Sequence, residues 1–129
     1  MRMKRLLPAL LLTTSAIAIA QNAPLLLFGG RDHDVFLGCL TCSQYDQHSV
    51  QNEYGPHGSP YESTSIFNHY GDYGSAYSDV SPCNRFANNP PVIVDQNGKF
   101  YGRLTLNQAH AQANNNENLN VWLKGKVCE

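Results

Sequence analysis

The sequence predicts a small α+β fold, stabilised by disulfides, in which antiparallel strands and hairpins carry three 16-residue units of loop and helical turn. Three observations lead there. One sixteen-residue phrase recurs between Tyr45 and Pro91, beginning at Tyr45, Tyr61 and Tyr77, and a strict period of this kind is an architectural signal. Short apolar runs bounded by turn residues flank it, Leu25 to Phe28 and Val35 to Leu37 before and Val92 to Val94 after. Four cysteines occur in a chain whose large aliphatic residues thin out after Phe36, so covalent bridges are expected to supplement a small core.

The chain begins with a basic stretch, Met1 to Arg5, followed by an apolar one, Leu6 to Ala20, that ends in Ala18-Ile19-Ala20. This is the pattern of a signal peptide cleaved after Ala20, and it predicts a secreted or periplasmic protein. Pro8, Thr13, Thr14 and Ser15 interrupt the apolar run. It is also shorter than the roughly 20 residues a membrane span needs, so no span is expected in the mature chain. Removing 20 residues from 129 leaves 109, enough for a single globular domain over residues 21–129. The segment removed holds three of the nine Lys and Arg and none of the ten acids, so six basic groups remain against ten acidic ones, a charge of −4. That balance argues against a nucleic-acid partner, which would require a basic face.

Leu25 to Phe28 and Val35 to Leu37 read as an antiparallel pair joined by the polar turn Gly29 to Asp34. The turn holds Asp32, His33 and Asp34, the acid and histidine cluster outside the repeats. Two carboxylates and an imidazole could share a proton in a hydrolase or hold a divalent ion. Neighbours in sequence rarely converge on one ion, so a charged hairpin tip, or a hydrogen-bonding His-Asp pair that ties the turn to the repeats, is the favoured reading. His33 and Asp34 stay as catalytic candidates, and no metal or cofactor is expected.

Four cysteines allow three pairings. Extended backbone would hold Cys39 and Cys42 about 10 Å apart, so a bridge between them requires the strand to end in a turn, which Gly38 and Thr41-Cys42-Ser43 permit. The favoured pairing is Cys39-Cys42 with Cys83-Cys128. The C-x-x-C spacing also admits thiol exchange, although structural bridges prevail in small exported domains.

Within the units, Ser49, Ser65 and Ser81 stand fifth, Asn52, Asn68 and Asn84 eighth, and Tyr54, Tyr70 and Phe86 tenth. Each Ser precedes Val50, Ile66 or Pro82 and reads as the cap of one helical turn. Gly55 and Gly71 read as its left-handed terminus. The Asn amides are expected to bond to nearby backbone. The repeated aromatics Tyr45, Tyr61, Tyr77, Tyr54, Tyr70 and Phe86 are expected to point into a shared core. The competing reading displays aromatic and amide groups for sugar or cell-wall binding. His48 and His69 sit at drifting positions and read as surface residues, and replacement of His57 by Tyr73 in the next unit weakens a metal role for it.

After the repeats, Val92 to Val94, the Asp95-Gln96-Asn97-Gly98 turn and Lys99 to Leu106 form a β-hairpin over residues 92–106. Asp95 and Asn97 match part of a calcium loop without its later acids. In the tail, 107–129, a short helix is expected over Asn107 to Ala113 and a final strand over Leu119 to Leu123 that carries Trp122 to the core.

Phe28-Gly29-Gly30, His33-Asp34-Val35, Leu37-Gly38-Cys39-Leu40 with Cys42, the Ser-x-x-Asn-x-Tyr-Gly units and Pro90-Pro91-Val92-Ile93-Val94-Asp95 together resemble a family of small exported bacterial proteins of unknown function. Similar segments occur behind staphylococcal-nuclease-like domains, but none of the nuclease's own residues can be carried over. The resemblance covers about Leu27 to Asn107 and implies no set activity. Relatives often carry Trp where this chain has Cys83, which implies that Cys83-Cys128 belongs to this branch and Cys39-Cys42 to the whole family. The reading that results is an exported, non-enzymatic binding or accessory module, its partner a cell-envelope polymer or a protein. A small hydrolase at Asp32-His33-Asp34 and thiol exchange at Cys39/Cys42 are the alternatives.

Overall fold

The computed structural model describes residues 23–129, so the predicted export segment lies outside the described residues. Apolar runs on both sides of the repeats supply one four-stranded antiparallel sheet: β1 (Leu26–Gly29), β2 (Val35–Cys39), β3 (Val92–Val94) and β4 (Phe100–Arg103), in the order β2-β1-β3-β4. Strands far apart in sequence thus meet at β1 and β3, where Leu27 faces Ile93 and Phe28 faces Val92. Both predicted hairpins form. The first is bulged, because Phe36 and Gly38 pair with consecutive residues of β1 and leave Leu37 as the extra residue. In the second, Gly98 takes the left-handed conformation, and Asp95 Oδ1 accepts from the backbone of Asn97 and Lys99, both at 2.9 Å. β4 ends at Arg103, earlier than the hydrophobic pattern to Leu106 suggested.

One side of the sheet faces the core, in which Leu27, Leu37, Ile66, Cys83, Ile93, Leu104, Leu123 and Val127 form one buried cluster. Two disulfides tie its margins. Cys39–Cys42 closes the turn that ends β2, and Cys83–Cys128 fixes the C-terminus to the segment before β3. Among the described residues no helix is long and apolar enough to cross a membrane.

The segment from Ser43 to Ala87 is built from single turns and contains no helix. N–H groups return to carbonyls three residues back at every third position: from Ser43 through Asp46, Ser49, Asn52 and Gly55 to Gly58, from Glu62 to Gly74, and from Ser78 to Ala87. Where Ser, Asp or Asn stands at such a position, its side chain also accepts from the backbone two residues on. Ser49, Ser65 and Ser81 receive Gln51, Phe67 and Cys83 at 2.9 to 3.1 Å. Such local bonds compete with the helical pattern, which explains why the expected helical turns are strings of β-turns. Gly55 and Gly71 are not left-handed, contrary to expectation. The tightest glycines are Gly58 and Gly74, where a Cβ would lie 2.1 and 2.2 Å from the carbonyl oxygens of Asn52 and Asn68.

The expected inward orientation of the repeated aromatics is wrong. Tyr45, Tyr54, Tyr61, Tyr70, Tyr77 and Phe86 are 83–100% exposed. The buried groups are instead the serines and the residues after them, Ser49-Val50, Ser65-Ile66 and Ser81-Pro82. A string of three-residue turns brings only some of its positions inward, and these are filled by small or branched side chains that fit beneath it.

The tail departs from its prediction too. Asn107 to Ala113 makes two further turns and no helix. Helix α1 (Glu117–Trp122) occupies the place of the expected strand and runs on as a π-helical turn over Leu123–Val127. Asn116 caps it, its Oδ1 accepting from Leu119 N at 3.0 Å. Leu119, Trp122, Leu123 and Val127 pack on the core while Val121 is exposed. This three-and-four spacing is the helical period, which overrode the partial alternation. Trp122 does reach the core margin, edge-on to Phe67 at 6.2 Å.

Candidate functional site

The exposed aromatics share one backbone device. Tyr45, Tyr61 and Tyr77 each donate their N–H to the serine two residues earlier, Ser43, Ser59 and Ser75, at 3.1 to 3.2 Å. Tyr54, Tyr70 and Phe86 donate theirs to the Oδ1 of Asn52, Asn68 and Asn84, at 2.9 to 3.1 Å. The Nδ2 of each Asn reaches back to the carbonyl of Asp46, Glu62 or Ser78, at 3.0 to 3.3 Å. Every Asn therefore holds together the stretch that follows the first aromatic of its unit and the stretch that carries the second. In the first unit Tyr45 and Tyr54 line one cavity of about 330 Å³ together with Gln44, Gln51 and Asn52. Rings held on fixed backbone beside amide groups can stack on the apolar faces of a sugar ring while the amides take its hydroxyls.

A second feature lies on the sheet. Phe28, Val92 and Arg103 stand in one cross-strand row on β1, β3 and β4, and Val94 with Phe100 forms the next. By strand alternation Val92 and Val94 share a face opposite the core residue Ile93. These five side chains, with His33, Gly98 and Gln112, line a cavity of about 510 Å³. Its end nearest Val92 is polar, because the β1–β2 turn brings His33 there and β4 brings Arg103. Arg103 is 8% exposed. Its Nε donates to Gln112 Oε1 at 2.7 Å and its Nη1 to the Pro90 carbonyl at 2.6 Å, and burial pushes its pKa down. His33 has φ of 55°, the single non-glycine residue with positive φ among those described, and its Nε2 is buried without a partner.

The predicted acid and histidine cluster is split by this geometry. His33 lines the sheet cavity, whereas Asp32 and Asp34 are exposed. Arg31, from the same turn, pairs with Asp79 at 3.6 Å and so links the hairpin tip to the third unit. Asp79 also accepts from Asn88 N and Asn89 Nδ2, at 2.9 and 2.7 Å, and these bonds hold its carboxyl below the usual range. Among the described residues no group of three or more His, Cys, Asp and Glu is placed to hold a metal. Cys39 is buried and bonded to Cys42. His48 and His69 are exposed, although His69 Nε2 donates to the Val127 carbonyl at 2.7 Å.

The residues that sequence reasoning undervalued stand thirteenth in the first two units. His57 is buried, its ring edge-on to Phe36, and Nδ1 donates to the Thr64 carbonyl at 3.2 Å. Tyr73, at the matching place, is half-buried over Gly29 and Leu37. Burial, and then the charges of Asp72 and Asp34, push its phenol pKa up. An aromatic ring at this position in both units was the available signal. Comparison of the chain with protein-family models, with curated proteins and with solved structures finds no match.

Proposed function

We propose that this chain is an exported, non-catalytic module that binds a carbohydrate polymer of the cell envelope through the aromatic pairs Tyr45/Tyr54, Tyr61/Tyr70 and Tyr77/Phe86. The observation that carries the reading is that all six rings are exposed while the backbone N–H of each is held by a serine or asparagine two residues earlier. Large exposed rings serve no core, and rings on pinned backbone lose little freedom when a ligand stacks on them. The recurrence of the pair three times along the sequence suits a ligand that itself repeats, because linked weak contacts add through effective concentration.

Co-sedimentation with purified peptidoglycan and with whole cell walls tests this. The expected result is retention of the native chain and at least tenfold weaker retention of the triple variant Tyr54→Ala, Tyr70→Ala, Phe86→Ala, with unchanged circular dichroism. A native chain that stays in the supernatant with every envelope preparation, or a triple variant retained as well as the native chain, overturns the proposal.

A further inference from the structure

We propose that the cavity over Phe28, Val92 and Arg103 binds a small organic carboxylate, with the acid group on the Arg103 guanidinium and an apolar body lying along Phe28, Val94 and Phe100. This site is separate from the aromatic pairs and does not depend on their role. The first observation is an uncompensated charge. Arg103 is nearly buried, and the two acceptors it meets, Gln112 Oε1 and the Pro90 carbonyl, are neutral. Among the described residues no carboxylate pairs with it, and residues 1–22 contain no Asp or Glu that could. A guanidinium stays protonated under all ordinary conditions, and a buried cation without a counter-charge is costly. The two bonds use Nε and Nη1, which leaves Nη2 as a donor for an incoming anion.

The second observation is independent of charge. His33 lines the same cavity, its Nε2 lacks a partner, and its backbone is held in a conformation that a glycine would adopt with less strain. Its unused donor or acceptor, in the cavity that Arg103 also lines, suits the second oxygen of a planar anion. Third, the cavity volume of about 510 Å³ falls in the range of small-molecule sites. The strand register fixes the ligand's polarity: Arg103 and Val92 stand at one end, Val94 and Phe100 at the other. A single guanidinium beside aromatic and aliphatic walls matches one carboxylate on an apolar body. Phosphate groups, with more charge, call for several donors.

The test is titration of the purified, oxidised chain by two-dimensional NMR, reading the Arg103 Nε–H and the amides of Phe28, Val92 and Val94. Phenylacetate stands for a free aromatic acid and N-acetylphenylalanine for a peptide C-terminus, with phenylacetamide and N-acetylphenylalanine amide as their neutral counterparts. Saturable shifts confined to these residues are expected for at least one acid, with at least tenfold weaker binding of its amide. The tighter of the two acids identifies the source. Phe100→Ala, at a half-exposed position, and His33→Asn, which tolerates the left-handed backbone, are expected to keep the fold and to weaken binding several-fold. Arg103→Lys, which keeps the charge and loses the planar fork, is expected to weaken it about tenfold. Equal binding of acid and amide, unaltered binding in all three variants, or no shifts with either acid up to about 10 mM overturns the proposal.

Discussion

His57 lies edge-on to Phe36 of β2, their ring centroids 4.9 Å apart, and this contact seats the first unit on the sheet. Burial pushes the His57 pKa down from 6.5. Repulsion from His48 adds to that, while the Thr64 carbonyl opposes it. As pH falls through 6.5 the unfolded chain therefore takes up the proton first. His57 contributes stability that is present above its unfolded pKa and is lost on acidification below it. Thermal unfolding is expected to show a midpoint that falls as pH drops below 6.5, the value His57 takes in the unfolded chain. His57→Gln, whose amide can still donate to Thr64, should flatten that segment. A second fall is expected in more acid solution, where Asp79 and Asp95, both held below the ordinary 3.8, lose their charge.

Gly74 lies where any side chain would collide with the Asn68 backbone, a Cβ falling 2.2 Å from its carbonyl oxygen. Gly74→Ala should destabilise the chain by about 2 kcal/mol or more, since backbone has to move. Gly125, around which a Cβ would meet nothing within 4 Å, is the control. Gly125→Ala should be neutral or slightly stabilising in denaturant titrations.

Asn68 and Tyr70 should behave oppositely although an Asn and an aromatic recur at these places in every unit. Asn68→Ala removes bonds to the Glu62 carbonyl and from the Tyr70 amide and should cost about 1–3 kcal/mol. Tyr70, fully exposed, should tolerate alanine within about 0.5 kcal/mol. Chemical denaturation of the two variants separates a clamp from a displayed ring. A large loss for Tyr70→Ala would remove the ring from consideration as a binding group.

The Cys83–Cys128 bridge closes a long loop, with a sequence separation of 45. In the chain-entropy model such a loop is worth about 4 kcal/mol, and the short Cys39–Cys42 loop about half of that. The double variant Cys83→Ser, Cys128→Ser should lose more stability than Cys39→Ser, Cys42→Ser, as read by unfolding midpoints. It should also release the C-terminal turn to faster amide exchange.

What could be read from the chain follows the range of the interactions. The first hairpin was legible because short apolar runs and turn chemistry act over a few positions, and the second was legible at Asp95 to Gly98 for the same reason. The helix at Glu117–Trp122 was misread. Leu119 to Leu123 satisfies two periods at once, and only contact with Phe67 and the core selects the helical one. The turns between Ser43 and Ala87 were partly legible: the side chains of Ser49 and Asn52 do bond to nearby backbone, but their three-residue rhythm lay beneath the sixteen-residue one.

Taken alone, the order of residues determined the local features: where strands start, which residues stand at equivalent places in each unit, and that four cysteines accompany a thin supply of aliphatic groups. Direction was a tertiary matter. Tyr45 and Tyr54 face solvent and Ser49 and Val50 face inward because the string of turns lies on a sheet whose remaining space is shallow. Arg103 and His33, seventy positions apart, line one cavity with Phe28 only because β1 pairs with β3. Pairing across such a separation depends on which apolar faces can be buried together, a property of the assembled chain that no short stretch of it contains.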